Sequence, residues 1–168
     1  MTRDLVFLLT GLIALGILLA MLFAWRRRLR RDAGLTAPLG VPEHAEVRAR
    51  HEVLYVSTTK HDEPLERLAI SPLTYRARGE IAVTDRGVAL CLDGAPTVFL
   101  SRDRLQAVDR ATVTIDRVVE PDGLVKIVWD VADAHPVDSY LRVTTGDPAH
   151  LISELRPLIA APKTGASS

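Results

Sequence analysis

Leu5 to Trp25 is an apolar run without a charged residue, and five arginines come directly after it: Arg26, Arg27, Arg28, Arg30 and Arg31. No later feature limits the chain as much. A helix of about 20 apolar residues crosses a hydrocarbon core of roughly 30 Å. A buried helix of a soluble protein carries a polar stripe, whereas Thr10 is the one polar side chain here. A cleaved signal peptide has a shorter apolar core, of about 7–15 residues, before a small-residue cleavage site. Here Trp25 and arginines stand in that place. The run reads as a transmembrane helix over 5–25 with a basic juxtamembrane segment over 26–31.

The flanks set the orientation. Arg3 beside Asp4 is a weak counterweight to the arginine cluster, so the bias is N-terminus out and everything after Arg31 in the cytoplasm. Trp25 suits the headgroup layer. Arg26, Arg27, Arg28, Arg30 and Arg31 are expected to set topology and to lie along anionic lipid, at about 1 kcal/mol each. Gly16, Ala20 and Ala24 are spaced four apart on one helix face, a pattern that lets two membrane helices approach closely. A homodimer through this face is the corresponding expectation.

The 168 residues are neutral overall, but unevenly so. The first 31 hold six of the 21 basic residues and one of the 21 acidic ones, leaving an acidic remainder. Nucleic acid, which rewards clustered Lys and Arg, is thereby a poor partner. The chain beyond the anchor is long enough for one domain with its own core. The lone Cys91 makes no internal disulfide and no thiolate zinc site by itself.

Residues 32–46, with Gly34, Pro38, Gly40 and Pro42, read as a semi-stiff linker. A domain over 47–161 comes next, and 162–168 reads as a disordered tail. Period-two segments are expected at Glu52–Thr58, Arg67–Ser71, Glu80–Thr84, Val88–Leu92, Thr97–Ser101, Leu105–Asp109, Thr112–Val118 and Val137–Thr144. The clearest strand comes after the Pro121-Asp122-Gly123 turn, with Val125, Ile127, Trp129 and Val131 on one face. Lys60–Pro64 reads as a loop, and Asp85-Arg86-Gly87 as a hairpin turn. The period then changes. Asp147 is an N-cap with Pro148 at the first helical position, and Ala149, Ile152, Leu155 and Ile159 form a stripe widened by Leu151 and Leu158. Pro157 kinks or ends that helix.

Seven or eight short strands and a final amphipathic helix suit a strongly bent antiparallel sheet, a partial barrel, whose open end the helix covers. Such a cap buries about 400–600 Å², on the order of 10 kcal/mol before entropy. The fold class is therefore one N-terminal transmembrane helix plus an α+β, mainly β, pleckstrin-homology-like (PH-like) domain. An OB-like or lipocalin-like barrel is the alternative.

The chain resembles a family of actinobacterial single-pass membrane proteins with one N-terminal helix and a PH-like domain. The likeness covers nearly the whole chain. It rests on the helix ending in Trp25 with its arginines, on Leu54-Tyr55-Val56-Ser57-Thr58-Thr59, Leu65-Glu66-Arg67, Arg78-Gly79, Gly87-Val88 and Gly123-Leu124, and on the strand carrying Trp129. The chain departs from the pattern near Glu63-Pro64, where an aromatic is expected, and near Pro72-Leu73-Thr74, where glycines are. The resemblance implies a membrane-anchored, non-catalytic domain.

No nucleophile elbow, phosphate loop or dinucleotide fingerprint is present, and no two of the five histidines stand at i, i+4. His61-Asp62-Glu63 reads as a solvated loop, so no metal and no cofactor are expected. Lys60, Arg67, Arg76 and Arg78 are the candidates for lipid-headgroup binding, against Asp62, Glu63 and Glu66 nearby; a phosphate site needs several convergent donors. The leading expectation is a scaffolding module that binds the bilayer through its helix and a protein partner through its domain. Lipid or small-ligand binding, or an accessory role in a membrane transport or envelope system, are the alternatives. If the small-residue face drives dimerisation, Gly16→Leu with Ala20→Leu will remove inter-helix cross-links in membranes; undiminished cross-linking would refute it.

Overall fold

The computed structural model describes residues 2–32, 35–111, 113–114, 117–118, 123–132 and 135–159, with side chains in the first range described over 7–27. The turn residues Pro121 and Asp122, the 162–168 tail and the side chains of Arg28, Arg30 and Arg31 lie outside them. The chain forms two compact units, the second beginning at Leu35.

The first unit is helix α1, Thr2–Asp32. Its segment Phe7–Arg27 has a mean hydropathy of 2.6 and none of it is buried, so it is long and apolar enough to cross a membrane. The helix runs on through the arginine cluster. Gly16, Ala20 and Ala24 are all exposed on it.

The second unit is a mostly antiparallel sheet with a C-terminal helix. Its strands are β1 (Val47–Lys60), β2 (Glu63–Arg67), β3 (Ala77–Thr84), β4 (Gly87–Leu92), β5 (Val98–Ser101), β6 (Leu105–Ala111), β7 (Val113–Thr114), β8 (Arg117–Val118), β9 (Leu124–Asp130) and β10 (Pro136–Val143). Helix α2 spans Pro148–Leu155. The main sheet runs β5-β4-β3-β1-β10-β9-β6, with β2 added to β1, while β7 and β8 pair separately. Its two ends do not pair with each other, so the sheet is strongly bent but not closed.

The bend is written into β1. Val47 to Tyr55 pairs with β3, and Val53 to Lys60 pairs with β10, with a bulge between Tyr55 and Ser57. One extra residue in a strand bends it and increases its twist. It also reverses the side-chain parity. Val53 and Tyr55 enter the main core, while Val56 turns outward to a smaller cluster with Leu124 and Tyr140. Beyond the bulge Thr58 points inward again, onto Ser139.

The β3–β4 hairpin is dictated by its sequence. Ile81 pairs with Leu90 and Val83 with Val88, all four in the core. Thr84 Oγ1 accepts from the amides of Arg86 and Gly87 and donates to the Gly87 carbonyl, which fixes the turn. Val125, Ile127, Trp129 and Val131 line the same core. Asp147 caps α2, accepting from Ala149 N at 2.8 Å, and α2 inserts Leu151, Ile152 and Leu155. The regular helix stops at Leu155 and Pro157 lies in a 3-10 turn, Arg156–Leu158. Leu158 still reaches the core.

Four expectations change. In place of one strand over Thr112–Val118, Val113–Thr114 and Arg117–Val118 pair with each other as the two arms of a hairpin. The strand placed at Arg67–Ser71 lies instead at Glu63–Arg67. Lys60 pairs with Glu63 in register and as an ion pair, and Asp62 at φ 59° closes a two-residue turn of the left-handed kind that Asp tolerates. β1 begins five residues before Glu52, because Val47–His51 find partners on β3 despite their exposed charges. The 32–46 segment is not a free tether along its whole length. Ala37 N bonds Ser71 O at 3.0 Å, Phe99 N bonds Pro38 O at 2.9 Å and Gly40 N bonds Thr97 O at 3.1 Å. Ala37 is itself core, 2% exposed. This strap lies along β5 and starts within the compact unit.

Gly79 stands opposite Val53 and Leu92. A Cβ there would lie 2.1 Å from the Cys91 carbonyl oxygen and 2.8 Å from Leu92 Cα. Those contacts are with backbone, which cannot swing aside. Gly79→Ala is therefore expected to destabilise the domain by about 3 kcal/mol, at the upper end of overpacking costs, read as a lower denaturation midpoint of the full chain in detergent micelles. A wild-type midpoint would contradict the close approach of β3 and β4.

Candidate functional site

Among the described residues, two polar constellations within the sheet and two grooves on its surface bring functional side chains together. The first constellation is a relay inside the core. Trp129 Nε1 donates to Ser139 Oγ at 2.8 Å, and Ser139 Oγ is 2.7 Å from Thr58 Oγ1. Thr58 Oγ1 is 2.8 Å from the Tyr55 phenol oxygen, which is 2.9 Å from the Leu73 carbonyl. An indole N–H only donates and a carbonyl only accepts. Trp129 donates to Ser139, and the Tyr55 phenol, with its one proton, faces two acceptors, Thr58 Oγ1 and the Leu73 carbonyl. Burial pushes the Tyr55 phenol up to about 12, against an opposing contribution from the Thr58 hydrogen bond. The relay is fully satisfied and shut off from solvent, so its role is to fix the junction of the two sheet halves.

The second constellation sits at the root of the β1–β2 hairpin. Asp138 on β10 pairs with Thr59 on β1 and is 1% exposed. His61 Nδ1 is 2.7 Å from Asp138 Oδ1, Asp62 N donates to Asp138 Oδ2 at 3.3 Å, and His61 Nε2 is 3.4 Å from Asp62 Oδ2. Ligand atoms of His61, Asp62 and Asp138 lie within 4.8 Å of one another, close enough to hold a metal ion. The local run His61-Asp62-Glu63 hid this group: its third member is Asp138, and Glu63 turns to Lys60. A carboxylate inside the apolar strand Pro136–Val143 was the signal for it. On the same face, burial raises the Tyr140 phenol, with smaller contributions from Thr59, Asp138 and Asp62. Ser57 Oγ, opposite Tyr140, is buried without a partner among the described residues.

The basic side chains considered for a headgroup have separate surroundings. Lys60 faces Glu63. Arg67 donates to the carbonyls of Thr74 at 3.1 Å and Val56 at 3.5 Å. Arg76 is exposed. Arg78 lines a groove of about 640 Å³ with Glu52, Glu80 and Asp93, an acidic setting that suits a cation better than a phosphate. Arg26 and Arg27 are exposed on α1.

The second groove, about 230 Å³, lies between β6 and α2 and is lined by Asp109, Arg110, Ala149, Ile152, Ser153 and Arg156. Arg110 is 3.8 Å from Asp147. Two arginines of the preceding loop hold this region together. Arg102 donates to Pro157 O at 3.2 Å, and Arg104 to Asp130 O at 3.2 Å and Val131 O at 3.0 Å. His51 on β1 meets Glu154 on α2 at 2.6 Å, clamping the helix from its other side.

A bent sheet whose shared strand feeds two halves, capped by a C-terminal helix, is the PH-like arrangement, and the family model described as Bacterial PH domain-like matches residues 36–155. The chain belongs to that family. The match begins inside the strap, in agreement with the strap's place in the domain. The bacterial PH-like domain is also similar to the crystal structure of the C-terminal domain of an unknown protein from Leishmania infantum, at 11% identity and a TM-score of 0.43, over 81% of this chain and 98% of that one. No curated protein matches the chain. The PH-like fold is in general non-catalytic.

Tyr55 gives the domain an alkaline limit. The unfolded chain loses the phenol proton near 10.0 and the native state near 12. The native state therefore binds more protons between these values, and stability falls as pH rises through that window, by roughly 2–3 kcal/mol in all. Tyr55→Phe is expected to flatten the fall of unfolding free energy between pH 10 and 12, measured by denaturant titration. An unchanged slope would mean that the phenol titrates freely in the folded protein.

Proposed function

We propose that the chain is a membrane-anchored, non-catalytic PH-like module that recruits or organises a protein partner at the cytoplasmic face of the membrane. The anchoring rests on one observation: a helix with mean hydropathy 2.6 over Phe7–Arg27, wholly unburied and continued by the arginine cluster. Such a surface in water would be an extreme apolar exposure, and a single bilayer crossing removes it. The arginines favour the orientation with the domain inside.

A protein partner is preferred to an anionic lipid headgroup because the candidate donors do not converge. Lys60 faces Glu63, Arg67 serves backbone carbonyls, and Arg78 stands among carboxylates. A phosphate needs several charged donors aimed at one point. Large side chains such as Trp129, Tyr55 and Leu141 are buried in the domain interior.

Alkaline carbonate washing is expected to leave the protein in the membrane pellet, and protease added to intact spheroplasts is expected to spare the domain. Release into the supernatant would remove the anchor from the reading. Digestion of the domain in sealed spheroplasts would reverse the orientation.

A further inference from the structure

The main path of the sheet ends at β5 and at β6, and the chain treats those two ends differently. At the β5 end the strap supplies partners: Pro38 O receives the Phe99 amide, and Gly40 N donates to Thr97 O. At the β6 end no described segment pairs with the far side of Leu105–Ala111; the strand's partner is β9 alone. An uncovered edge offers a row of N–H and C=O groups to any strand that reaches it. Monomers blunt such edges with bulges and charges. β6 has its bulge between Leu105 and Ala107, whereas its register from Ala107 to Ala111 is unbroken. The regular part of the edge is the part beside α2.

The groove there has walls of different kinds. Strand β6 contributes Asp109 and Arg110, and α2 contributes Ala149, Ile152 and Ser153, with Arg156 just beyond its end. At about 230 Å³ it falls below the roughly 300–1,000 Å³ of small-molecule pockets, a size that suits one side chain of a strand laid along it. Ile152 makes an apolar floor at 6% exposure. Arg110 is drawn toward Asp147 at 3.8 Å. The Asp109 carboxylate, which stands cross-strand from Lys126, and the Arg156 guanidinium are both exposed and form no close ion pair among the described residues. Opposite charges thus stand exposed on opposite walls, which gives a bound strand a direction.

We propose that the β6–α2 groove takes an extended segment of a partner protein as an added strand, with an apolar side chain over Ile152, an acidic one at Arg156 and a basic one at Asp109. This rests on the recruiting role proposed above and names its place and the partner's chemistry. Main-chain pairing supplies affinity in such complexes, and pockets for alternate side chains supply specificity. Side chains on one face of a strand recur every second residue, so the apolar and charged residues that face the groove should be two apart.

The test is to pan a phage-displayed random dodecapeptide library against the full chain in lipid nanodiscs. Enriched peptides should carry an apolar residue with a charged residue two positions away. They should slow amide exchange in Ala107–Ala111. Arg156→Glu should weaken acidic peptides at least tenfold, and a peptide with that acid changed to lysine should recover on this variant. Ser153→Trp, an exposed position at the groove rim, should abolish binding with the circular dichroism spectrum unchanged. Failure to enrich any peptide overturns the proposal, as does binding indifferent to both variants or exchange unaltered along β6. A dimer of the full chain that Ser153→Trp dissolves would assign the edge to a second copy and also overturn it. Photo-cross-linkers at Ser153 and at the exposed Arg48 in cells separate the two levels of inference. Capture at Arg48 alone leaves the recruiting role standing without the groove, and capture at neither position removes both.

Discussion

One strand serves two halves of a sheet, and every other part of the domain depends on that sharing. β1 is 14 residues long, about 45–50 Å if straight, and pairs with β3 over its first part and with β10 over its second. It can enclose a core only by bending, and the bulge at Val56 provides the bend. Because the bulge also shifts parity, Val53 and Tyr55 before it and Thr58 after it face the same interior. Without the shift, the second half would present Ser57 and Thr59 to the core and lose the relay. Both faces of β1 are buried across the bulge, from Tyr55 to Thr59, so the register is held from two sides.

The relay lies where the halves diverge and ties together β1, β9, β10 and the Leu73 loop. Its members come from four separate stretches of chain, and its two ends are groups of fixed polarity. Removing a middle hydroxyl orphans a donor and an acceptor at once, at about 1–3 kcal/mol for each buried group left unpaired. A network of this sort specifies one arrangement of the strands more than it adds net stability. The same rigidity carries through to β6 and α2. Trp129 pairs with Leu105 across β9 and β6, while Arg104 joins the β6 end to the carbonyls of Asp130 and Val131.

Much of this was legible in the residue pattern. The β3–β4 hairpin, the Val125–Val131 strand and the capped helix at Asp147 each combine a local turn or cap signal with unambiguous periodicity. The misplaced parts lacked such signals. Val47–His51 alternates charged and small residues, and only pairing with β3 makes it a strand. β2 hides behind Pro64, and its turn uses Asp62 in a left-handed conformation that a sequence more often assigns to Gly or Asn. The strap reads as a linker because its contribution is mostly backbone: Pro38 and Gly40 bond to Phe99 and Thr97, some sixty residues away. Asp138 joins His61 across 77 positions, beyond the reach of any spacing rule. The edge–helix groove was foreseeable only as a kind of place, because which strand ends the sheet is a property of topology.

The strap also bears on which end of the sheet can grow. A strand that covers an edge ordinarily moves the edge outward by one strand, leaving a new row of donors. Here the covering segment begins with Pro38, which has no N–H to offer, and it turns away at Gly40, whose φ of 84° breaks the extended run. The β5 end is thus terminated. Termination at one end and a regular uncovered edge at the other make the sheet directional. Of the two ends of the main path, β6 is the one whose regular outer row has no pairing segment among the described residues. There α2 stands beside the edge and lines a groove with Ala149, Ile152 and Ser153.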